Sequence, residues 1–424
     1  MLGGDTLWLR RARRGGLALA GLCVGCNLVF GTEGLETESD GSTGDATATA
    51  TATTGEPGEP CGTTPTATFN TGAPEAMIAA LLAVDDDPAG SLIVAGTTRK
   101  ELNLGGQCEA LMQSEAAGFV ARFSVDGECL AAGMIGVSGG FTLLAADYNP
   151  TLGSVAVGGL HGGDPYMAKG SLDDLGAFTE VNPFETGGLV RALALRDDDT
   201  ILATGECFGV GALVVDGDDA NCVLHPETIL LASGVVENDA GIFIAGSYNS
   251  SAEEPLPPAA VGEEGVFVAR VTGADLALKR VEGLSGVFPL DNWYRTSVAF
   301  AGDGDGTRLA VGAVSDGALK IVELDAATLE VTGDKTFNPG CDPLFASDLI
   351  ATPQGGWAIA GGALDNDSPG CRALGVWGGG DPLLDLPIAN PSTEGPRPRI
   401  AAGCFGIAAA TASPSTLYLE YTTP

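Results

Sequence analysis

The sequence predicts an all-β chain folded as a seven-bladed β-propeller, and three observations carry that prediction. The first is a short apolar run, usually ending in Ala-Gly, that recurs seven times. The copies are Ser91-Leu-Ile-Val-Ala-Gly96, Gly153-Ser-Val-Ala-Val-Gly158, Thr200-Ile-Leu-Ala-Thr-Gly205, Gly241-Ile-Phe-Ile-Ala-Gly246, Thr307-Arg-Leu-Ala-Val-Gly312, Gly356-Trp-Ala-Ile-Ala-Gly361 and the degenerate Gly406-Ile-Ala-Ala-Ala-Thr411. The second is their spacing. The steps are 62, 47, 41, 66, 49 and 50 residues, and a β-rich repeat of roughly 40–50 residues is the signature of propeller blades. The third is that no helical apolar periodicity is sustained beyond the N-terminus. Length alone would suggest two or three domains, but a propeller is one closed unit of many blades.

The elements follow in order. Residues 1–25 read as an export signal: Arg10 to Arg14 form a positive region, and Gly15 to Val24 form an apolar run too short for a permanent membrane span. The run ends at Val24-Gly25-Cys26, with Leu22 just upstream. This resembles a bacterial lipobox, and the resemblance implies a diacylated Cys26 that anchors the chain to a membrane; an ordinary secretory signal is the alternative. Residues 26–65 read as a tether. Glu33 to Pro60 is mostly Thr, Ala, Gly, Glu, Asp and Ser with no basic residue, and such a stretch buries too little to offset its ordering entropy, so disorder is expected. The propeller is expected over residues 66–424.

Each propeller unit reads as an apolar strand, an acidic turn, the Ala-Gly strand, a variable loop, a third strand and a fourth. In the first blade these are Ala76–Val84, Asp85-Asp86-Asp87, Ser91–Gly96, Gly118–Ser124 and Cys129–Ile135, with Val125-Asp126-Gly127 as the tight turn between the last two. Later blades begin near Gly140, Gly188, Leu230, Asp291 and Pro343. The seventh unit, from Thr393, offers only Arg397–Ala402, Gly406–Thr411 and Thr416–Thr422. Thr66–Gly72 is expected to supply its fourth strand, a velcro closure that removes an exposed sheet edge. The strings Gly118-Phe-Val-Ala-Arg122, Gly265-Val-Phe-Val-Ala-Arg270 and the looser Pro165-Tyr-Met-Ala-Lys169 extend the repeat. Over most of residues 66–424 the chain therefore resembles the bacterial seven-bladed propeller repeat proteins common among exported proteins of bacteria such as myxobacteria. That resemblance implies a fold and no particular activity.

Ten cysteines occur. Setting aside Cys23 in the signal and Cys26 leaves Cys61, Cys108, Cys129, Cys207, Cys222, Cys341, Cys371 and Cys404. An even number in an exported chain reads as a disulfide framework, although eight cysteines allow roughly a hundred pairings. Position suggests Cys108–Cys129, Cys207–Cys222, Cys341–Cys371 and Cys61–Cys404. A metal site is the competing reading, weakened because the mature chain has no Cys-x-x-Cys and only His161 and His225 could add imidazole.

The chain carries 20 basic against 55 acidic residues. Such a surface repels phosphate backbones and excludes nucleic acid as a partner; cation capture or a basic partner remains open beside simple solubility. A catalytic constellation is hard to assemble. His161 reads as part of a second-blade loop and His225 as part of a fourth strand. Gly136-Val-Ser138-Gly-Gly140 matches a nucleophile-elbow pattern, but a strand rather than the required helix is expected after it. Asp303-Gly-Asp305-Gly306 and Asp216-Gly-Asp218-Asp219 place carboxylates at alternate positions, as calcium loops do, and equally suit acidic hairpin turns. The long links Thr97–Ala117 and Ser247–Glu264, against the short Glu206–Val210, are expected on one face, where binding on a rigid scaffold usually resides. The reading is a monomeric, non-catalytic binding or scaffolding propeller lipoprotein of the cell envelope, at the outer membrane or cell surface. It uses no cofactor or metal and contacts a protein, peptide or glycan. The alternatives are a glycoside hydrolase or lyase working through clustered carboxylates, and a calcium-stabilised surface protein.

Overall fold

The computed structural model describes residues 69–71, 76–84, 87, 89–99, 101–108, 116–136, 140–181, 187–208, 211–224, 228–250, 264–272, 275–282, 284, 298–339, 345–362, 372–378, 384–385, 398–403, 406–412 and 417–422. The signal and tether, Cys26, and the cysteines at 61, 341, 371 and 404 lie outside the described residues, as do Ser138 and His225.

The all-β propeller is present. Its strands form seven four-stranded antiparallel sheets among the described residues. The first comprises Met77–Val84, Ser91–Thr98, Ala117–Ser124 and Cys129–Ile135; the second, Phe141–Asn149, Ser154–His161, Asp164–Ser171 and Asp174–Glu180. The third comprises Gly188–Leu195, Ile201–Cys207, Gly211–Asp216 and Asp219–Val223; the fourth, Thr228–Asn238, Gly241–Ser250, Glu264–Thr272 and Asp275–Arg280. The fifth comprises Val298–Gly302, Arg308–Ser315, Ala318–Asp325 and Val331–Phe337; the sixth, Phe345–Ala351, Trp357–Gly362, Arg372–Trp377 and Leu384–Asp385. The seventh joins Arg399–Gly403, Gly406–Ala412 and Leu417–Thr422 to Phe69–Thr71 from the other end of the chain. That closure pairs Phe69 with Leu419, Asn70 with Tyr418 and Thr71 with Leu417.

The first strand of each sheet packs against the first strands of both neighbours, the seventh against the first included, so the sheets close into a ring. Each junction has its own buried cluster. Tyr148, Phe141 and Ile93 fill the one between the first and second sheets; Trp357, Phe337 and Ile359 fill the one between the fifth and sixth. The Ala-Gly runs are the second strands. Ser91–Thr98, Ile201–Cys207 and Trp357–Gly362 are buried along their whole length. A strand covered on both faces reads as a continuous apolar run rather than an alternating one. The outermost strand Asp174–Glu180 of the second sheet is largely exposed.

The glycine of the repeat has a specific cause. In five sheets the innermost strand carries a bulge, with Ala79, Leu144, Arg191, Ser233 and Ser347 as the extra residues. Opposite each bulge, on the second strand, stands a glycine: Gly96, Gly159, Gly205, Gly246 and Gly361. A Cβ on Gly205 or Gly246 would lie 2.0 Å from the carbonyl oxygen of Leu189 or Leu231, and one on Gly96 would lie 2.4 Å from that of Met77. The bulge tips an inner-strand carbonyl into space that only glycine leaves empty. In the second sheet this glycine is Gly159, not the Gly158 of the repeat; a Cβ on Gly158 would meet Val190 of the third sheet at 2.6 Å instead.

The innermost strands have one edge without a strand partner, and in the second, third, fifth and seventh sheets side chains from the preceding sheet bond to it. Thr97 Oγ1 accepts from the Leu143 amide at 2.8 Å, and Asp147 Oδ2 accepts from the Leu195 amide at 2.8 Å. Ser233 Oγ donates to the Val298 carbonyl at 2.8 Å, and Ser347 Oγ donates to the Pro398 carbonyl at 2.6 Å. Asp348 Oδ2 accepts from the Ile400 amide at 2.9 Å.

Gly246→Ala is expected to destabilise the propeller by about 1–3 kcal/mol or more, the usual penalty for forcing atoms into a packed interior. Gly187→Ala, whose added Cβ would meet nothing within 4 Å, is expected to stay within about 0.5 kcal/mol of the parent. Urea unfolding of the two variants checks both.

Candidate binding face

Strand alternation gives the ring two unlike faces. Turns between first and second, and third and fourth, strands lie on one face. Links between second and third strands, and between sheets, lie on the other.

The tight-turn face is laced by scarce cations. Arg122 Nη2 reaches Asp87 at 2.9 Å and its Nε reaches Ser91 Oγ at 2.9 Å within the first sheet. Lys169 of the second sheet donates to Asp199 Oδ2 in the third at 2.5 Å. Arg196 of the third grips Glu237 of the fourth through two bonds of 2.5 and 2.9 Å, and also pairs with Asp216. Arg270 lies over the Phe243 ring and donates to the carbonyls of Ala326 and Ala327 in the fifth sheet at 2.9 and 2.8 Å. Arg308 bonds Asp303 at 2.7 Å and Glu323 at 3.0 Å, and reaches the Gly355 carbonyl of the sixth sheet at 3.0 Å.

The acidic turns are occupied by their own chain. Asp198 accepts from the Thr200 hydroxyl and amide, which hold its carboxyl below the usual range. Thr328 does the same for Asp325. The Asp303 carboxylate takes the Thr307 amide and hydroxyl, the Arg308 amide and the Arg308 Nε. The two strings read as possible calcium loops are therefore hairpin turns whose leading carboxylates, Asp303 and Asp216, face arginines. Among the described residues, no group of three or more His, Cys, Asp or Glu is placed to hold a metal.

On the loop face the structure revises the sequence-based placements. His161 ends a strand instead of lying in a loop, because Gly162 and Gly163, at φ 63° and 104°, make a two-residue turn that pairs His161 with Asp164. Its ring lies 5.7 Å from Phe141 and 6.0 Å from Tyr166. Burial, reinforced by the charge of Glu180, pushes the Tyr166 hydroxyl up to about 12. No helix follows Gly136–Gly140; Phe141–Asn149 is a strand. Within Thr97–Ala117, Thr97 and Thr98 belong to the second strand, and Glu101–Cys108 folds back along the outermost strand of the first sheet. Leu102 and Leu104 are buried there because a segment with two leucines and a cysteine has apolar surface to hide. The 251–263 part of Ser247–Glu264 lies outside the described residues.

Two of the four expected disulfides are described, Cys108–Cys129 and Cys207–Cys222. The second ties the ends of the second and fourth strands of the third sheet at the loop face. Beside it stand two features that sequence reasoning missed. Phe208 is 60% exposed and Leu224 is 59% exposed. Phe208 has φ 53°, a left-handed conformation that a bulky residue rarely adopts, and its amide donates to the Gly187 carbonyl at 2.9 Å. Leu224 packs over Gly211, where a Cβ would lie 2.6 Å from Leu224 Cδ2 and 2.9 Å from Cys207 Sγ. Beneath them the bulge residue Arg191 meets Glu206, with Nε 2.6 Å from Oε1 and both side chains 2% exposed.

No protein-family model and no curated protein matches the sequence. Solved structures match the fold. One is the structure of U3-55K, at 11% identity and TM-score 0.50, covering 83% of this chain and 98% of that one. Another is the Cps50 (Swd1) β-propeller domain from Myceliophteria thermophila, at 11% identity and TM-score 0.51, covering 84% of this chain and all of that one. At these identities the likeness concerns the propeller fold alone.

Glu206→Gln is expected to lower stability by about 3–5 kcal/mol, because it leaves a buried guanidinium without its counter-charge, while Arg191→Met combined with Glu206→Leu recovers most of that loss. Chemical unfolding of the single and double variants tests the pair. Tyr166 holds its proton more tightly folded than unfolded. It therefore contributes stability below its ordinary value of 10.0, and that stability is lost as pH rises toward about 12. An ultraviolet phenolate titration should show one late component that Tyr166→Phe removes.

Proposed function

We propose that this chain is a non-catalytic binding or scaffolding β-propeller, exported and anchored outside the cytoplasm through a diacylated Cys26. The observation that carries the binding role is the exposed pair Phe208 and Leu224 on the disulfide-tied loop-face end of the third sheet. Large apolar side chains on a rigid, pre-organised edge are what protein and peptide interfaces use as anchors. A left-handed phenylalanine is strain of the kind that concentrates at functional sites. The export address rests on the N-terminal sequence pattern, and the two disulfides support it, since such bonds persist in oxidising compartments. The tether then carries the propeller away from the lipid surface. Propeller-fold neighbours agree with a scaffold role without naming a ligand.

The test pairs binding with turnover. Wild-type protein and the Phe208→Ser/Leu224→Ser variant are applied to peptide and glycan arrays and to a polysaccharide panel. Array signals that fall at least tenfold in the variant, with no turnover by either protein, are the expected result. Polysaccharide cleavage that disappears on replacing loop-face carboxylates would instead establish the hydrolase or lyase alternative. Peptide mass spectrometry of membrane-derived protein should find Cys26 as a diacylated N-terminus; an intact, unmodified N-terminus overturns the anchor.

A further inference from the structure

We propose that Glu101–Cys108 is a covalently clamped wedge that holds the junction between the seventh and first sheets shut. This junction is where the two ends of the chain close the ring. The seventh sheet is closed by only three residue pairs between Phe69–Thr71 and Leu417–Thr422, whereas the first two strands of the fourth sheet share ten. If those three pairs separate, the seventh and first sheets are held together by side-chain packing alone. Among the described side chains, the seventh sheet contributes Ala401, Ala408 and Ala410 to the shared cluster. The first sheet adds Phe119 and Phe123, and the returning segment adds Leu102, 0% exposed, and Leu104, 3% exposed.

The segment is built to stay in place. Gly105 and Gly106, at φ 69° and 61°, turn it onto the outermost strand of its own sheet. Gly106 packs so closely that a Cβ there would lie 2.8 Å from both the amide nitrogen and the carbonyl oxygen of Cys129. The Gln107 amide donates to the Cys129 carbonyl at 2.9 Å, and Cys108 is bonded to Cys129 itself. The bond thus reaches beyond its own loop: it fixes two leucines in the cluster that the first and seventh sheets share. Ring integrity becomes tied to an oxidised Cys108–Cys129 pair.

Hydrogen exchange read by mass spectrometry on the Cys108→Ala/Cys129→Ala variant tests this. Peptides covering 399–412 and 117–124 should exchange at least tenfold faster than in the parent, with peptides covering 188–216 unchanged. The Cys207→Ala/Cys222→Ala variant should leave 399–412 at parental rates. If the first variant fails to fold, Leu104→Ala with the disulfide intact is read in the same way. Faster exchange confined to 101–108, a uniform rise across all sheets, or no change in 399–412 would each overturn the proposal.

Discussion

The constraint on which the structure depends is the unpaired inner edge of each innermost strand. A sheet edge that is neither paired nor solvated leaves backbone donors and acceptors unsatisfied, and a ring of seven sheets creates seven such edges around one axis. In the second, third, fifth and seventh sheets that edge is met from the neighbour that precedes it. Asp147, Ser233, Ser347 and Asp348 extend from one innermost strand to the backbone of the next. Two of these, Ser233 and Ser347, are the extra residues of bulges. In these two sheets the bulge turns a polar side chain toward the adjoining sheet. The arrangement has an electrostatic cost at Asp348, whose burial pushes its carboxyl above the usual range against the opposing charge of Arg399.

That constraint is also why the fold was readable from the sequence. The bulge displaces a carbonyl toward the second strand, the second strand answers with glycine, and two-sided burial makes the residues before it apolar. Ala-Gly at the end of an apolar run is the trace of those demands, repeated wherever the geometry repeats. It misplaced the critical residue by one in the second sheet, where Gly158 and Gly159 are adjacent and both lack room for a side chain, and in the fifth sheet Gly312 faces Ile359 of the next sheet instead of a bulge. The closing strand was readable for a related reason: the seventh unit is one strand short, and Phe69–Thr71 lies in the strand-like stretch Thr66–Gly72 that precedes the first sheet.

The candidate site was far less readable. Phe208 looks like any loop residue in sequence; its exposure and left-handed backbone follow from the Cys207–Cys222 bond and the Gly187 contact, which join residues distant in the chain. Glu206 and Arg191 are separated by fifteen residues and become partners only because the bulge turns Arg191 back over its own sheet. Conversely, Glu101–Cys108 reads as a solvated loop because charged residues and glycines surround its leucines. Only the disulfide, itself suggested by proximity in sequence, hinted that it returns to the outermost strand. Local pattern reports demands that repeat in every sheet; it is silent on contacts made once.

The distribution of charge separates the two faces further. With 20 basic residues against 55 acidic ones, each cation is a limited resource, and the described arginines and lysines of the tight-turn face join neighbouring sheets or fix their turns. Arg196 touches two carboxylates on two sheets, and Arg308 reaches three groups on two. Cations committed to joining sheets do not neutralise the outer surface, so the ring gains cohesion while its exterior stays strongly negative. On the proposed binding role, a partner approaching the loop face would meet an apolar anchor at Phe208 and Leu224 within the field of a strongly acidic chain. Such a field repels polyanions and favours ligands that bring their own positive charge. Under that proposal, the same scarcity of cations that commits them to structural bonds would also bias the opposite face toward partners that bring positive charge.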